Sequence, residues 1–366
     1  MGLMSNKYTA EIDNITREEW AQVLLKFDDA NIFQTWEWGE NNCGENKLAH
    51  IILKKSNEIV AASQVWYVKF PVIRCGFAHV SWGPMWRLCG KDLDFDNLRN
   101  MIKALYEEFV IRRGVVLRIR SFEIDNTGVG NKVKQIFENE NLKKTNEAPY
   151  RTVILNLSPD MDELRSNLRK SWRRQLNKAE KEDIKLIEGT DEDMLNSLSE
   201  IYKDMVTRKR FHSYIENMER LKKIQKELPQ NLKMRIFLCQ YKGEFVSGQL
   251  VTTLGNTAMS IIAATSNKDI ELKLRSTYFS DWQVIKWMKE EGFKYFGFRG
   301  YDPVKYPGPS YYKAGIGGNI VSFLDIFEYC NNFLSLIIIN IAKLIVFLKE
   351  DAKSRVRKYR NRLSQF

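Results

Sequence analysis

Apolar residues follow two spacings along this chain. Short runs that alternate or stay apolar are typical of strands, and a repeat near 3.6 residues is typical of amphipathic helices. The predicted strands are 47–54, 58–68, 74–82, 115–119, 151–157, 184–187, 233–240, 244–253, 257–264 and 295–298. The predicted helices are 16–29, 93–113, 129–141, 158–181, 192–210, 214–228 and 271–291.

The order of these elements repeats in the two halves of the chain. Residues 50–53 followed by 58–62 resemble residues 235–238 followed by 244–248. In both halves a third strand, a long helix, a glycine and a buried strand come next. This layout predicts an α/β (α+β) protein with two similar lobes, and a ligand site at their seam or above the strand ends. The predicted divisions are 1–157, 158–330 and 331–366.

The last segment has a different character. Residues 333–348 are almost wholly apolar, yet this run is shorter than the ~20 residues that span a bilayer. A basic run follows, formed by Lys349, Lys353, Arg355, Arg357, Lys358, Arg360 and Arg362. We interpret 333–362 as an amphipathic helix on an anionic membrane surface. A terminal helix docked on the protein core and a marginal membrane span are the alternatives.

Charge and composition narrow the possible partners. The 366 residues carry a net charge of +11, with a pI near 9.2, which favours polyanionic partners such as nucleic acid, anionic lipid or phosphorylated metabolites. Five cysteines without a C-x-x-C pair and three histidines argue against a disulfide framework and a metal site. The polar first 13 residues lack the apolar core of a signal peptide, so we expect a cytoplasmic protein.

Residues 306–318 carry the strongest candidate chemistry. Prolines and a glycine predict a stiff, irregular bend that presents a single cation, Lys313. Three glycines, Gly315, Gly317 and Gly318, would allow a ligand to approach the backbone closely. One cation on such a bend suits an oxyanion or a phosphate. The alternative is a glycine-rich turn with a solvated lysine.

Two further basic segments are candidate phosphate sites. The predicted helix 158–181 has an apolar stripe and a cationic remainder that includes Arg169, Arg173, Arg174 and Lys178. Arg208 lies near the end of another predicted helix, where the helix dipole alone would favour a cation. A solvated helix face explains both segments equally well. No serine, cysteine or Walker-type nucleophile motif is found, so any catalysis would depend on positioning and charge.

Taken in order, several segments resemble the FemABX family of peptidoglycan interpeptide-bridge aminoacyltransferases. The matching pieces cover about residues 33 to 329. They are Phe-Gln-Thr-Trp-Glu-Trp at 33–38, Gly83-Pro84, the basic stretch 168–180, Arg208 with Phe211, Gly300, and Tyr-Lys-Ala-Gly-Ile-Gly-Gly at 312–318. The resemblance implies two tandem GNAT-like acyltransferase lobes, to which the tail would add an amphipathic helix.

The resemblance also implies a reaction and roles for residues. An amino acid would pass from aminoacyl-tRNA, the co-substrate, to an amine on a lipid-linked muropeptide precursor, without another cofactor or a metal, at the inner face of the plasma membrane. Lys313 would stabilise developing charge, with Tyr312 beside it. The implied substrate-binding residues are Arg208, Gln34, Trp38, Gly315, Gly317 and Gly318. Arg169, Arg173, Arg174 and Lys178 would contact tRNA or phosphate.

Some positions depart from the family pattern. Met85, Trp86 and Arg87 follow Gly-Pro where an acidic residue is usual, and Gly297 stands in place of an aspartate. Asn41 and Asn42 replace a common lysine. Two alternatives therefore stay open: a GNAT-type enzyme that uses acyl-CoA, and a catalytically inactive relative that binds tRNA or membrane.

Overall fold

Two mixed β-sheets of seven strands each form the centre of the molecule. The computed structural model describes residues 7–70, 75–209 and 215–329. In spatial order the first sheet consists of β1 (Tyr8–Ile12), β2 (Leu48–Lys55), β3 (Glu58–Phe70), β4 (Cys75–Ser81), β5 (Val116–Arg120), β14 (Phe327–Tyr329) and β6 (Lys143–Lys144). The second consists of β13 (Asn319–Ser322), β7 (Arg151–Asn156), β12 (Tyr295–Gly300), β11 (Thr257–Thr265), β10 (Glu244–Thr252), β9 (Arg235–Tyr241) and β8 (Ile184–Gly189).

Each sheet contains a single parallel pair among antiparallel neighbours. These pairs are β4 with β5 in the first sheet and β11 with β12 in the second. In both sheets, two antiparallel hairpin strands precede the first member of the pair. The predicted repeat of two similar α/β lobes is therefore confirmed at the level of strand order.

The two lobes exchange strands. β7, which follows the first sheet in sequence, pairs antiparallel with β12 of the second sheet. β14, from the end of the described chain, pairs antiparallel with β5 of the first. The predicted division at residue 157 therefore does not follow the sheets. The chain crosses over at Tyr150 and returns at Phe323, whose amide donates to the Tyr150 carbonyl at 2.9 Å.

Eleven α-helices of the described ranges pack on the sheets. They are α1 (Arg17–Leu24), α2 (Trp36–Cys43), α3 (Phe95–Leu105), α4 (Gly128–Asn139), α5 (Met161–Asn167), α6 (Lys170–Ala179), α7 (Glu192–Arg208), α8 (Ile215–Glu227), α9 (Asn267–Leu272), α10 (Ser276–Glu290) and α11 (Pro307–Lys313). A π-helical turn, Tyr106–Arg112, extends α3. Thr16 and Glu19 form a capping box on α1, at the start of the helix predicted over 16–29.

Two predicted helices are each divided in two. The prediction of one helix over 158–181 is wrong at Leu168 and Arg169, whose extended ψ angles separate α5 from α6. The helix predicted over 271–291 is interrupted where Lys273 and Arg275 take left-handed conformations. Residues other than glycine rarely adopt that backbone conformation, so helix propensities do not predict such a break.

The predicted irregular bend at 306–318 is wrong over its first half, which forms α11. Pro307 stands at the first helical position and Pro309 lies in the first turn, where backbone N–H groups have no intrahelical partner. Prolines cost little at these positions because no helix hydrogen bond is lost. Lys313 is the last residue of this helix, so a rigid element positions it.

The glycines after α11 serve close packing of backbones. A Cβ on Gly317 (φ +88°) would lie 3.0 Å from the Asn167 carbonyl oxygen. A Cβ on Gly318 would lie 2.8 Å from the Ile154 carbonyl oxygen, and one on Gly315 would lie 3.0 Å from the Trp172 ring. Their substrate-binding role stays a prediction, but protein groups already occupy the space that their missing side chains leave.

One hydrophobic core joins the lobes. It combines Trp20, Leu24 and Phe27 of the first lobe with Leu198 and Leu250 of the second, all buried. Burial of each such side chain stabilises the fold by about 1.5–3 kcal/mol, so the lobes hold each other in place. The described ranges hold no helix that is both long and apolar enough to cross a membrane. The predicted tail, 331–366, lies outside the described residues.

Replacing Gly317 by alanine tests the close approach after α11. We expect Gly317→Ala to lower the free energy of unfolding by about 1–3 kcal/mol, because alanine is strained at this φ and meets the Asn167 carbonyl. Gly308→Ala is the matched control: it lies in α11 with open space around its Cα, and alanine there should stabilise the protein by up to about 1 kcal/mol. Urea denaturation measures both, and equal values would contradict this packing.

Candidate active site

The second sheet opens between its two parallel strands. β11 and β12 pair only from Thr257 with Tyr295 to Ser260 with Phe298, although β11 continues to Thr265. Beyond that point β11 has a partner strand only on its β10 side. In the first lobe the equivalent strands stay paired to their ends. The opening therefore exposes backbone groups in the second lobe, and backbone groups without partners are potential ligand contacts.

Lys313 lies at this opening. Its half-buried Nζ donates a hydrogen bond of 2.6 Å to the carbonyl oxygen of Gly300, the last residue of β12. Burial lowers the pKa of the Lys313 ammonium to about 8; the Arg299 guanidinium lowers it further, and the Asp281 carboxylate opposes this. At neutral pH the group is still mostly protonated. An ammonium has three N–H donors, so two remain for a ligand.

A buried carboxylate, Asp281 on α10, lies beneath the lysine. Asp281 is 8% exposed and accepts hydrogen bonds from the Tyr312 hydroxyl at 2.7 Å and from Gln249 Nε2 at 3.1 Å. Burial raises the pKa of Asp281 to about 6, against these hydrogen bonds and the attraction of Arg299 and Lys313. Charge in the site thus arises from one carboxylate and several cations.

Arg299 is presented by a distortion of β12. The pairing of β12 with β7 shifts register between Gly297 and Gly300, and Arg299 takes a φ of +37°. Such bulges re-aim a side chain. Arg299 Nη1 donates at 3.3 Å to the carbonyl of Ile261, which lies just beyond the paired part of β11, and Thr152 Oγ1 donates to the Arg299 carbonyl at 2.7 Å. Arg299 therefore bridges the opening.

Tyr312 lies beside the candidate catalytic lysine, as the sequence predicts, and faces the protein interior. Its hydroxyl bonds to Asp281 and lies 3.1 Å from the Thr277 carbonyl, while its ring packs 4.9 Å from that of Tyr278 and 5.9 Å from that of Trp172. Burial, with the nearby Asp281 charge, raises the pKa of Tyr312 well above its ordinary value. These contacts suit a positioning residue that anchors α11 on α10.

Arg208 lies at the end of α7, at the outer edge of the same opening. Its guanidinium donates to the Thr265 carbonyl at 3.1 Å and bonds to the Asn267 side chain. Burial lowers the pKa of the next residue, Lys209, and the charges of Arg208 and Arg299 lower it further. Arg208 thus lies beside the end of β11, and its neighbour Lys209 is within range of the Arg299 charge.

The cations of α6 form a separate surface. Arg169 stacks over Tyr311, with its Cζ 4.1 Å from the ring centroid, and its Nη1 donates to the Tyr311 carbonyl at 3.1 Å. Arg173 donates to the Ser166 carbonyl at 3.3 Å. Arg174 and Lys178 are exposed. Arg169 therefore connects this surface to α11, whereas Arg174 and Lys178 face solvent.

Gln34 and Trp38 lie in the first lobe. Gln34 is 0% exposed; its Nε2 donates to the Ser81 carbonyl at 2.7 Å, and its Oε1 accepts from the Gln64 amide at 2.8 Å. Trp38 lines a cavity of about 130 Å³. The structure does not bring either residue together with Lys313. Gln34 therefore has a structural role: it is buried and hydrogen-bonded to Ser81, the last residue of β4.

Asp281 and Arg299 are the site residues that the sequence reasoning missed. Asp281 occupies a core-facing position of α10, three and four residues before the buried Val284 and Ile285. A carboxylate in an apolar stripe was a detectable signal, because burying one requires partners. Arg299 gave no such signal, since its orientation comes from a bulge.

The described residues offer no metal site, and two of their cysteines are not activated thiols. No group of three or more His, Cys, Asp or Glu side chains in this part of the chain is placed to hold a metal. Burial raises the pKa of Cys239 to about 12 and that of Cys89 to about 11, so both stay thiols. The candidate site therefore provides cations in fixed positions near the opening between β11 and β12.

Comparison with known proteins identifies the fold. Residues 166–314 match the family model described as acetyltransferase (GNAT) domain. The solved structure of FemX has 14% sequence identity and a TM-score of 0.72, over 88% of this chain and 98% of FemX. The resemblance inferred from the sequence is confirmed. The chain has a tandem GNAT fold similar to that of FemX.

Two further structures share the tandem GNAT fold at lower similarity. The C-terminal domain (DUF2156) of a putative lysylphosphatidylglycerol synthetase from Agrobacterium fabrum has a TM-score of 0.54 and 10% identity, covering 90% of this chain and 96% of that domain. A conserved protein of unknown function from Bacteroides thetaiotaomicron has the same score and identity, covering 88% and 99%. No curated protein sequence matches the chain. These structures show the fold, and the family model over residues 166–314 supports an acyltransferase.

The titration of Lys313 tests the electrostatics of this candidate site. We expect its reaction with acetic anhydride to rise with a midpoint near pH 8, against ~10.4 for a free lysine, because protonated lysine is unreactive. Arg299→Gln should raise the midpoint and Asp281→Asn should lower it, since the first removes a cation and the second an anion. Peptide mass spectrometry measures the modified fraction, with the exposed Lys305 as internal reference. Shifts of the same sign in both variants would contradict the arrangement.

Proposed function

We propose that this protein is a tRNA-dependent aminoacyltransferase that adds an amino acid to the peptide stem of a lipid-linked peptidoglycan precursor. The observation that carries the proposal is the Lys313 ammonium at the end of α11, held over the opening between β11 and β12. The tandem GNAT fold shared with FemX supports acyl transfer. The motifs from Gln34 to Gly318 that resemble the FemABX family support the choice of donor and acceptor.

The reaction needs charge stabilisation more than a protein nucleophile. The acceptor amine attacks the ester carbonyl of the aminoacyl-tRNA, a C–N bond forms, and the C–O bond to the ribose breaks. The proton lost by the amine ends on the leaving ribose oxygen. Lys313 is positioned to donate to the oxyanion or to that oxygen, and Tyr312, held by Asp281, keeps the lysine in place. Preorganised donors of this kind stabilise transition states strongly.

Replacing Lys313 tests this role. We expect Lys313→Met to lower kcat by about 10²- to 10³-fold with charged tRNA and a lipid-linked muropeptide, because removal of one oxyanion donor has an effect of that size. Lys305→Met is the matched control, an exposed lysine before the same helix, and should leave the rate unchanged. The measurement is transfer of a radiolabelled amino acid to the lipid fraction. A Lys313→Met rate equal to that of the wild type would refute the assigned role.

The same assay distinguishes the proposed function from the two alternatives, an acyl-CoA-dependent enzyme and an inactive relative. Ribonuclease treatment of the donor should abolish transfer, whereas acyl-CoA should not replace aminoacyl-tRNA. Transfer from acyl-CoA that resists ribonuclease would instead identify a GNAT-type N-acyltransferase. Absence of any product with every amino acid, alongside intact tRNA binding, would favour an inactive relative.

The basic tail bears on where the protein acts. We propose that 333–362 holds the protein at the anionic inner face of the plasma membrane, where a lipid-linked acceptor would be found. The sequence supports this with an apolar run followed by seven cations.

Vesicle binding tests the tail. Replacing its basic residues between Lys349 and Arg362 by glutamine in the full chain should weaken binding to phosphatidylglycerol vesicles at least 10-fold, since each cation near an anionic surface contributes about 1 kcal/mol. Binding of the wild type should also fall as salt rises. Co-sedimentation measures both, with neutral phosphatidylcholine vesicles as the control. Unchanged binding of the variant would exclude an electrostatic anchor.

A further inference from the structure

The two most exposed large apolar side chains of the described residues lie within one short segment, just before α11 and on it. Val304 is 93% exposed and Tyr311 is 61% exposed, whereas no other large apolar side chain of these ranges exceeds 53%. Pro303, Pro307 and Pro309 are exposed as well. Single exposed apolar residues are ordinary on a protein surface, but a contiguous patch marks an interaction site. The segment is therefore a candidate contact surface.

Hydrogen bonds hold the tip of this segment in place. The Asp302 carboxylate accepts from the amide of Val304 at 3.1 Å and from the amide of Lys305 at 2.9 Å. The Tyr306 amide donates to the Asp302 carbonyl at 2.8 Å, and the Ser310 amide donates to the Tyr306 carbonyl at 3.0 Å. Val304 is thus presented to solvent by an ordered turn that leads directly into α11.

Tyr311 connects the apolar segment to the basic helix α6. Its hydroxyl lies 3.4 Å from Ser171 Oγ, and Arg169 stacks on its ring with Cζ 4.1 Å from the centroid. With 3.6 residues per turn, Arg174 and Lys178 project within about 60° of Ser171, on the side away from the buried stripe of α6. The apolar segment and these cations therefore share one surface of the second lobe.

The exposed cations of α6 lack carboxylate partners. Lys170, Arg174 and Lys178 are exposed and follow one another at intervals of four residues. None of the three forms an ion pair with another described residue. Exposed lysines elsewhere do: Lys203 lies 3.9 Å from a glutamate on α7, and Lys223 lies 3.7 Å from one on α8. A row of unpaired cations favours an anionic partner.

The apolar residues beside the cations distinguish between anionic partners. RNA-binding surfaces combine cations with aromatic rings on which bases stack, and Arg169 already covers one face of the Tyr311 ring. A protruding valine and three exposed prolines contribute nothing to phosphate contacts. The headgroup region of a bilayer, in contrast, accepts apolar tips, tyrosines and cations side by side. The combination favours a membrane over RNA.

We propose that segment 303–311 and the cations Lys170, Arg174 and Lys178 form a docking surface for an anionic lipid bilayer. Val304 enters the headgroup region, and the cations contact the lipid phosphates. This docking surface belongs to the folded second lobe and is separate from the basic tail. It depends on its own residues alone. Only its purpose, to bring Lys313 of the same helix close to a lipid-linked acceptor, rests on the proposed function.

Co-sedimentation of the full chain with phosphatidylglycerol-containing vesicles tests the apolar part. We expect Val304→Asp to weaken binding about 10-fold, because a buried valine is lost and an anion approaches an anionic surface. Val304→Trp should strengthen binding several-fold, since tryptophan prefers the bilayer interface. Leu272→Asp and Leu272→Trp are the matched controls. Leu272 is 51% exposed and lines a depression with Asp204 and Glu271, so neither change should alter binding.

A triple variant tests the cations. Replacing Lys170, Arg174 and Lys178 by glutamine should weaken vesicle binding about 100-fold. The control replaces Arg112, Lys203 and Lys223 by glutamine, which removes the same net charge from other exposed positions, and should keep most of the affinity. The same fold-changes should recur when the basic residues of the tail are also replaced, because the tail is a separate contact. Thermal melts check that each variant is folded.

Three results would overturn the docking surface. The first is vesicle binding that neither Val304→Asp nor the α6 triple variant changes. The second is an equal loss in both triple variants, which would assign the effect to net charge. The third is a loss in the α6 variant while Val304→Asp and Val304→Trp bind like the wild type. If binding of tRNA falls in that same variant, the cations form an RNA surface instead.

The docking surface and the proposed function fail separately. Vesicle binding through this surface by a protein that transfers no amino acid would refute the proposed function and leave the docking surface standing. Amino acid transfer by a protein whose vesicle binding is unchanged in the Val304 and α6 variants would do the reverse.

Discussion

The candidate site depends on the buried carboxylate of Asp281 and the hydrogen bond that it accepts from Tyr312. That bond fastens α11 to α10, and Lys313 is the residue after Tyr312. The same carboxylate is bonded by Gln249 from the sheet below, so sheet and both helices meet at one group. A buried carboxylate is stable only with such partners, and removing one partner costs far more than an exposed pair would. The position of the lysine is therefore set by the interior of the second lobe.

Most of the fold was accessible from the sequence because its elements are amphipathic. The strands at 47–54, 233–240 and 257–264 lie within a few residues of β2, β9 and β11. The exchange of β7 and β14 could not be predicted from the sequence. It depends on which lobe each strand pairs with, and the residues of a strand do not specify its partner. The helix at 307–313 differs from the predicted bend for a local reason. Prolines break a helix in its interior, but its first turn accepts them.

The site was accessible in part. Lys313 and Arg208 contact the ends of β12 and β11, whereas Gln34 is buried inside the first lobe, and the roles predicted for all three stay predictions. Arg299 could not be found from its residue type, because a bulge and a positive φ decide where its side chain points. Chemistry-bearing residues are recognisable when their type is unusual for their position, as with the buried Asp281, and hidden when the backbone provides the orientation.

The lobes have the same strand order but differ at the equivalent place. In the first, β4 and β5 stay paired up to Ser81 and Arg120, and Gln34 caps the Ser81 carbonyl. In the second, β11 runs beyond its pairing with β12, and Arg299 donates to the Ile261 carbonyl in that stretch. Backbone groups without a strand partner can contact a ligand, so the candidate site lies in the second lobe, the one that the GNAT family model matches. The first lobe, whose strands stay paired, packs against the crossover through Trp82, which contacts Tyr150 and Phe323.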